Sequence, residues 1–202
     1  MTSTPHSSDR PTVLIVDDDR DLADMYAFQL RDSYTVRTVY SAPQAIDALD
    51  ETVDVMLLDR RMPRLSGSDV LQRVRASEYD CRVIMITAVD PAFDIVELPF
   101  DDYLCKPVGK QTLQAAVHQQ LTVSEYGRTV RKLFRARSKL ALLEAEKSDA
   151  ALAASTEYAT LKRTATAMRA DADSLLSELD EFEAAFGALD RSTTLDGQRI
   201  EI

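Results

Sequence analysis

The chain has 202 residues, 45% hydrophobic and only 6% aromatic, with 24 Lys+Arg against 34 Asp+Glu and a net charge of -10. This length allows one domain of ordinary size plus a smaller one, and the acidic balance excludes general phosphate-backbone binding as the main activity of the whole molecule. Arg outnumbers Lys and Asp exceeds Glu, a balance that suits a protein bathed in high salt.

Residues 1–11, MTSTPHSSDRP, are polar and carry neither an apolar core nor an Arg-rich amphipathic pattern, so they read as a disordered lead-in and not as a targeting signal. No apolar run approaches the roughly 18 residues that a membrane helix needs, so no membrane insertion and a cytoplasmic location are expected. Cys81 and Cys105 each sit in a strand-like run without ligand spacing, which predicts buried, reduced thiols.

From Thr12 to Leu121, β-branched runs alternate with helical patterns, the form taken by repeated βα units and a parallel sheet. The expected strands are 12–16 (TVLIV), 34–39 (YTVRTV), 54–59 (DVMLLD), 82–87 (RVIMIT) and 102–105 (DYLC). Several are almost wholly apolar, as strands covered on both faces must be. Between them, Leu22, Met25, Tyr26 and Leu30 share one face of a first helix. Ser41 can cap a second helix with Ala42, Ala45, Ile46 and Leu49 inward, and Ser66 or Ser68 a third with Val70, Leu71 and Val74. Asp90-Pro91 opens a further helix that Pro99 cuts short. The segment 110–121 closes the unit with Leu113, Ala116, Val117 and Leu121.

Ligands of an open parallel sheet sit beyond the carboxyl ends of its strands, where strand order reverses. Those ends carry Asp17, Asp18 and Asp19, then Asp59, Thr87 and Lys106. Carboxylates about 4 Å apart repel by roughly 4 kcal/mol at an effective dielectric of about 20, so a hard divalent cation is their natural companion. Oxygen donors with one lysine and one hydroxyl are what Mg²⁺-assisted phosphoryl transfer requires. Asp59, alone on its strand end, is the expected nucleophile. Asp17 and Asp18 would hold the metal, with Thr87 and Lys106 on the phosphoryl oxygens. Taken singly, each residue has a plainer role: Asp19 or Asp21 as a helix cap, Thr87 as a β-former, Lys106 as a surface lysine. Their joint occurrence on separate strand ends favours the cluster.

With LIVDDD, Asp59 in LLDRRMPRLSG, Thr87-Ala88 in MITA, Tyr103 in DYLCKP and Lys106-Pro107, residues 12–121 resemble the receiver domain of two-component response regulators. The resemblance implies a doubly wound, flavodoxin-like α/β domain with a five-stranded parallel sheet. A sensor histidine kinase would phosphorylate Asp59, with Mg²⁺ held by Asp18, Asp59 and the backbone carbonyl of Arg61, and by Asp17 through water. It further implies a switch through Thr87 and Tyr103 that alters the face of the fourth helix, fifth strand and fifth helix, and a cis Lys106-Pro107 bond. Arg61 and Val89 stand where the family tunes hydrolysis of the aspartyl phosphate, and their bulk predicts slow autodephosphorylation. The truncated helix before the fifth strand weakens any transfer of the family's usual dimer face. A rival reading is a haloacid-dehalogenase-like phosphatase with Asp17 as nucleophile, which leaves Asp59, Tyr103 and Lys106 without roles as a set.

After Leu121 strands vanish, and Ala, Leu, Glu, Arg and Ser dominate. Thr122-Val-Ser-Glu125 has capping-box form and predicts a new helix to about Lys147. Tyr158, Leu161, Ala165, Met168, Ala172, Leu175, Leu179, Phe182, Phe186 and Leu189 alternate steps of three and four, a coiled-coil-like seam. An all-α hairpin and one continuous helix both fit. The tail 122–190, with TVSEYGRTVRKLFRARSKLALLEAEKS and EYATL, resembles the HalX domain of haloarchaeal regulators, and 191–202 is expected to be frayed. Arg128, Arg131, Lys132, Arg135 and Lys139 share a helical face that reads first as a solvated or ion-paired surface. No helix-turn-helix is visible, so an output such as transcription is expected through a downstream protein target. Direct DNA binding and a homodimer stay open.

Overall fold

The computed structural model describes residues 10–63, 65–88 and 96–186. Its elements are β1 (Thr12–Val16), α1 (Arg20–Leu30), β2 (Thr35–Val39), α2 (Ala42–Ala48), β3 (Val53–Asp59), α3 (Gly67–Ala76), β4 (Arg82–Thr87), β5 (Asp102–Cys105), α4 (Lys110–Glu146), α5 (Asp149–Ala154) and α6 (Thr156–Phe186). The chain divides into two compact units, the first ending at Leu121 and the second beginning at Thr122.

All five strands of the first unit are parallel, in the order β2-β1-β3-β4-β5. Alternation along each strand sends successive side chains to opposite faces, which makes two apolar layers. Val13, Ile15, Val55, Leu57, Ile84, Ile86 and Leu104 pack with Tyr26 and Leu30 of α1 and Leu113 and Val117 of α4. Leu14, Val16, Met56, Leu58, Val83 and Met85 pack with Ala42 and Ala45 of α2 and Val70, Leu71 and Val74 of α3. Each such side chain contributes about 1.5–3 kcal/mol when fully buried, so this sheet is the unit's main source of stability.

The helix starts follow from local chemistry. Asp19 caps α1 by accepting from the Leu22 amide, and Ser66 and Asp69 form a reciprocal capping box on α3. Ser41 precedes α2 without a side-chain cap bond. On α1 the expected inward face is corrected at one position: Met25 is exposed, while Tyr26 and Leu30 are buried. The Pro11 carbonyl accepts the Thr35 amide at 3.0 Å, so the sheet's backbone pairing already includes the residue before β1. Asp101 ties α3 to the β4 edge: it takes the guanidinium of Arg75 and, at 2.8 Å, that of Arg82.

The Asp90-Pro91 helix falls in residues outside those described, as does Val89; Val96 and Glu97 form one 3-10 turn. The expected helix start at Thr122 is corrected, because α4 runs unbroken from Lys110 to Glu146. In mid-helix the backbone amides already have carbonyl partners one turn back, leaving nothing for a cap to satisfy. Thr122 and Ser124 are instead buried, and Thr122 Oγ1 lies 3.3 Å from Glu178.

The second unit is a helical hairpin. Its two long helices run antiparallel, since Thr122 pairs with Glu178 while the Tyr158 hydroxyl donates to Glu144 at 2.6 Å. Ala136, Leu140 and Ala165 are its buried centre, with Leu133, Tyr158 and Leu161 against them. The predicted seam is borne out from Tyr158 through Phe182, every position being buried or half-buried. Its Phe186 side chain and Leu189 lie outside the described residues, as do 191–202.

Candidate functional site

Parallel pairing brings the strand ends into line. Val16 is level with Leu58, Asp59 with Ile86, and Thr87 with Cys105, so Asp17, Asp59, Thr87 and Lys106 meet at the carboxyl edge. The chain reverses direction across the sheet between β1 and β3, and the crevice at that switch point is where this fold binds ligands. Asp17 and Asp59 stand on its two sides.

Lys106 joins them. Its Nζ is 2.7 Å from Asp17 Oδ2 and 2.8 Å from Asp59 Oδ1. Asp17 Oδ1 accepts the Asp19 amide at 3.0 Å, so both oxygens of Asp17 are engaged. Asp18 is exposed, and carboxylate oxygens of Asp17, Asp18 and Asp59 lie within 4.8 Å of one another. Such a set of hard oxygen donors fits Mg²⁺, which also retains waters of its own. Thr87 is fully buried, and its carbonyl holds the Lys106 amide at 2.7 Å. The Lys106-Pro107 bond is cis, as expected.

Burial raises the pKa of Asp59, and the hydrogen bond and charge of Lys106 oppose that rise, with the Arg61 amide acting in the same direction as Lys106. Burial alone would lower Lys106, but its hydrogen bonds to Asp17 and Asp59 prevail and leave it raised. The ammonium is therefore a fixed positive charge between two carboxylates. Tyr103 does not join this cluster: it is half-buried beside the layer of α2 and α3, its ring 5.5 Å from that of Phe100. The Arg61 side chain is exposed. Cys81 is buried and Cys105 only half-buried, and neither is in a disulfide; burial pushes the Cys81 thiol up to about 12.

One contributor escaped the sequence reading. A Cβ on Gly67 would stand 2.2 Å from the Asp59 carbonyl oxygen, and the Gly67 amide donates to Arg60 at 3.0 Å. Only glycine lets α3 begin against the backbone that presents Asp59. The signal was the lone glycine in MPRLSG, at a helix start just after the candidate nucleophile.

Residues 13–118 match the response regulator receiver domain, so the chain belongs to that family. Residues 122–189 match the HalX domain, and the chain is a two-component response regulator with a receiver followed by a HalX unit. It is 47% identical over 133 residues to an inferred transcriptional regulator of Haloferax volcanii, covering 65% of this chain and 23% of that protein. It is 36% identical over 118 residues to the transcriptional regulatory protein CpxR of Escherichia coli K12, covering 56% of this chain and 50% of CpxR. The chain thus spans half or less of these curated relatives. Among solved structures, the signal receiver domain of a LuxO-type repressor from Vibrio parahaemolyticus superposes with a TM-score of 0.55 at 28% identity, covering 60% of this chain and 97% of that one. A receiver domain from Methanospirillum hungatei, at 23% identity and a TM-score of 0.53, shares the fold, covering 58% of this chain and 98% of that one. No described helix is long and apolar enough to cross a membrane.

Proposed function

We propose that Asp59 accepts a phosphoryl group from the phosphohistidine of a sensor kinase. The observation that carries this reading is the Lys106 ammonium held between Asp17 and Asp59 at 2.7 and 2.8 Å. A carboxylate oxygen of Asp59 forms the new bond to phosphorus as the bond to the histidine nitrogen breaks, and the imidazole leaves with the electron pair. Asp18, Asp59 and the Arg61 carbonyl would hold Mg²⁺ directly, and Asp17 through water. The cation, when bound, supplies neutralising charge for the phosphoryl oxygens. Lys106 steadies the nucleophile, Thr87 supplies a hydroxyl to the transferred group, and Tyr103 responds at the β5 surface. The receiver is a cytoplasmic switch and not a turnover enzyme, and its output passes through the HalX hairpin to a protein that controls transcription. Exposure of Arg128, Arg131, Lys132, Arg135 and Lys139 is consistent with a solvated face.

Mixing a radiolabelled, autophosphorylated histidine kinase with this chain and Mg²⁺ tests the reading. Label should move to this chain and fail to move to Asp59→Asn, and transfer that survives the substitution would refute it.

A further inference from the structure

On α6 the seam residues that pack toward α4 are each followed, one position later, by a second row at the same three-and-four spacing. It consists of Lys162, Thr166, Arg169, Asp173, Leu176 and Asp180, and every one of them is exposed. The row is divided by charge: its first half carries only cations and its second half only carboxylates. The sign changes between Arg169 and Asp173, whose side chains are 3.8 Å apart and largely in solvent. At the two ends, among the described residues, Lys162 has no carboxylate partner, its ammonium standing 5.8 Å from the centre of the Tyr158 ring, and Asp180 has no cation. Leu176, in the acidic half, is 44% exposed.

The row is its own complement when reversed. Positions 162 and 180, 166 and 176, and 169 and 173 are placed symmetrically about residue 171. An antiparallel second copy of α6 therefore sets Lys162 against the partner's Asp180, Arg169 against the partner's Asp173, and Thr166 against the partner's Leu176. Each contact occurs twice, as a two-fold interface requires, over about 27 Å of helix. A parallel copy would set like charge against like. Where the partner's Leu176 arrives, beside Thr166, the hairpin has room for it. A groove of about 420 Å³ between α4 and α6 is lined there by Arg137, Leu140, Ala141, Lys162, Ala165 and Thr166, and its two alanines leave the space that a leucine fills.

We propose that the HalX hairpin docks on a second copy of this chain through this row of α6, antiparallel, with each Leu176 seated in the groove of its partner. Exposed ion pairs contribute little in water, so burial of Leu176 supplies the affinity while the charges fix direction and register. The pairing belongs to the output unit, needs no face of the receiver, and does not rest on Asp59 being the phosphoacceptor.

Sedimentation equilibrium of the full chain at modest ionic strength, where surface charges are not screened out, tests the proposal. The parent should dimerise reversibly, and Leu176→Ala should raise the dimer dissociation constant about tenfold or more, because each dimer loses two buried leucines. Lys162→Glu with Arg169→Glu makes the row wholly acidic, and Asp173→Lys with Asp180→Lys makes it wholly basic. Each double variant alone should be monomeric, and an equal mixture of the two should form a one-to-one dimer, which also shows that both are folded. A parent that stays monomeric, a dimer indifferent to these substitutions, or a mixture that remains monomeric would overturn the proposal. So would a parent that is monomeric alone and changes its sedimentation only with added duplex DNA.

Discussion

In the receiver unit the central strands β1, β3 and β4 are covered on two faces, and long side chains such as Leu14, Leu57, Met85 and Leu104 are sealed from solvent. In the HalX hairpin two helices share one seam whose buried centre is Ala136, Leu140 and Ala165, while Phe134 and Leu142 are 69% and 65% exposed. The first unit can hold like charges at fixed distances, because its site residues extend from packed strands. The second has little apolar burial to resist rearrangement, so small free energies suffice to change its packing. Charge chemistry is placed on the stiff unit and, on the proposed reading, output on the yielding one.

The largest expected break in this contrast is Leu57→Ala, which should cost about 4 kcal/mol by urea denaturation, a core cavity flanked by two other strands. A loss nearer that of a surface site would show the sheet to be less tightly packed than described. Lys106→Met should cost about 3 kcal/mol at neutral pH, because it leaves Asp17 and Asp59 buried without a counter-charge. Burial already raises the Asp59 pKa, and without Lys106 that carboxyl would bind its proton more tightly folded than unfolded, so stability should return as pH falls through its folded pKa, and Mg²⁺ should restore part of it. The parent differs in sign at the alkaline end. The raised pKa of Lys106 gives a contribution that is complete below the unfolded value of about 10.4 and is lost as pH rises through the folded one. Gly67→Ala should cost about 2 kcal/mol and weaken Mg²⁺ binding, since a Cβ 2.2 Å from the Asp59 carbonyl must push the loop aside; isothermal titration reads the second effect. Smallest is Leu140→Ala, about 2 kcal/mol or less, because the hairpin can collapse around the smaller side chain. A cost equal to that of Leu57→Ala would erase the contrast between the units.

The strand ends were legible because a strand covered on both faces must be apolar, and a polar residue at its carboxyl end is conspicuous. Asp17, Asp59, Thr87 and Lys106 stood out on that ground, and β1, β4 and β5 have the predicted bounds. The uninterrupted α4 was not legible at Thr122, since Thr-Val-Ser-Glu satisfies a helix start as well as a helix interior, and only the preceding turn distinguishes them. Tyr26 was read correctly as core by its spacing, but spacing says nothing about where a hydroxyl points. The hairpin was undetermined for a similar reason: a heptad seam states that a helix has a partner without naming it. Ser148 settles the turn by capping α5 through the Ala151 amide.

The central claim is that Asp59 is the phosphoacceptor in a cluster assembled by Lys106. The most direct test treats the full chain with acetyl phosphate and Mg²⁺, traps the acyl phosphate by borohydride reduction, and maps the modified residue by mass spectrometry. The account predicts modification at Asp59, dependent on Mg²⁺ and abolished in Asp59→Asn. Modification at Asp17, or undiminished labelling of Asp59→Asn, would contradict it.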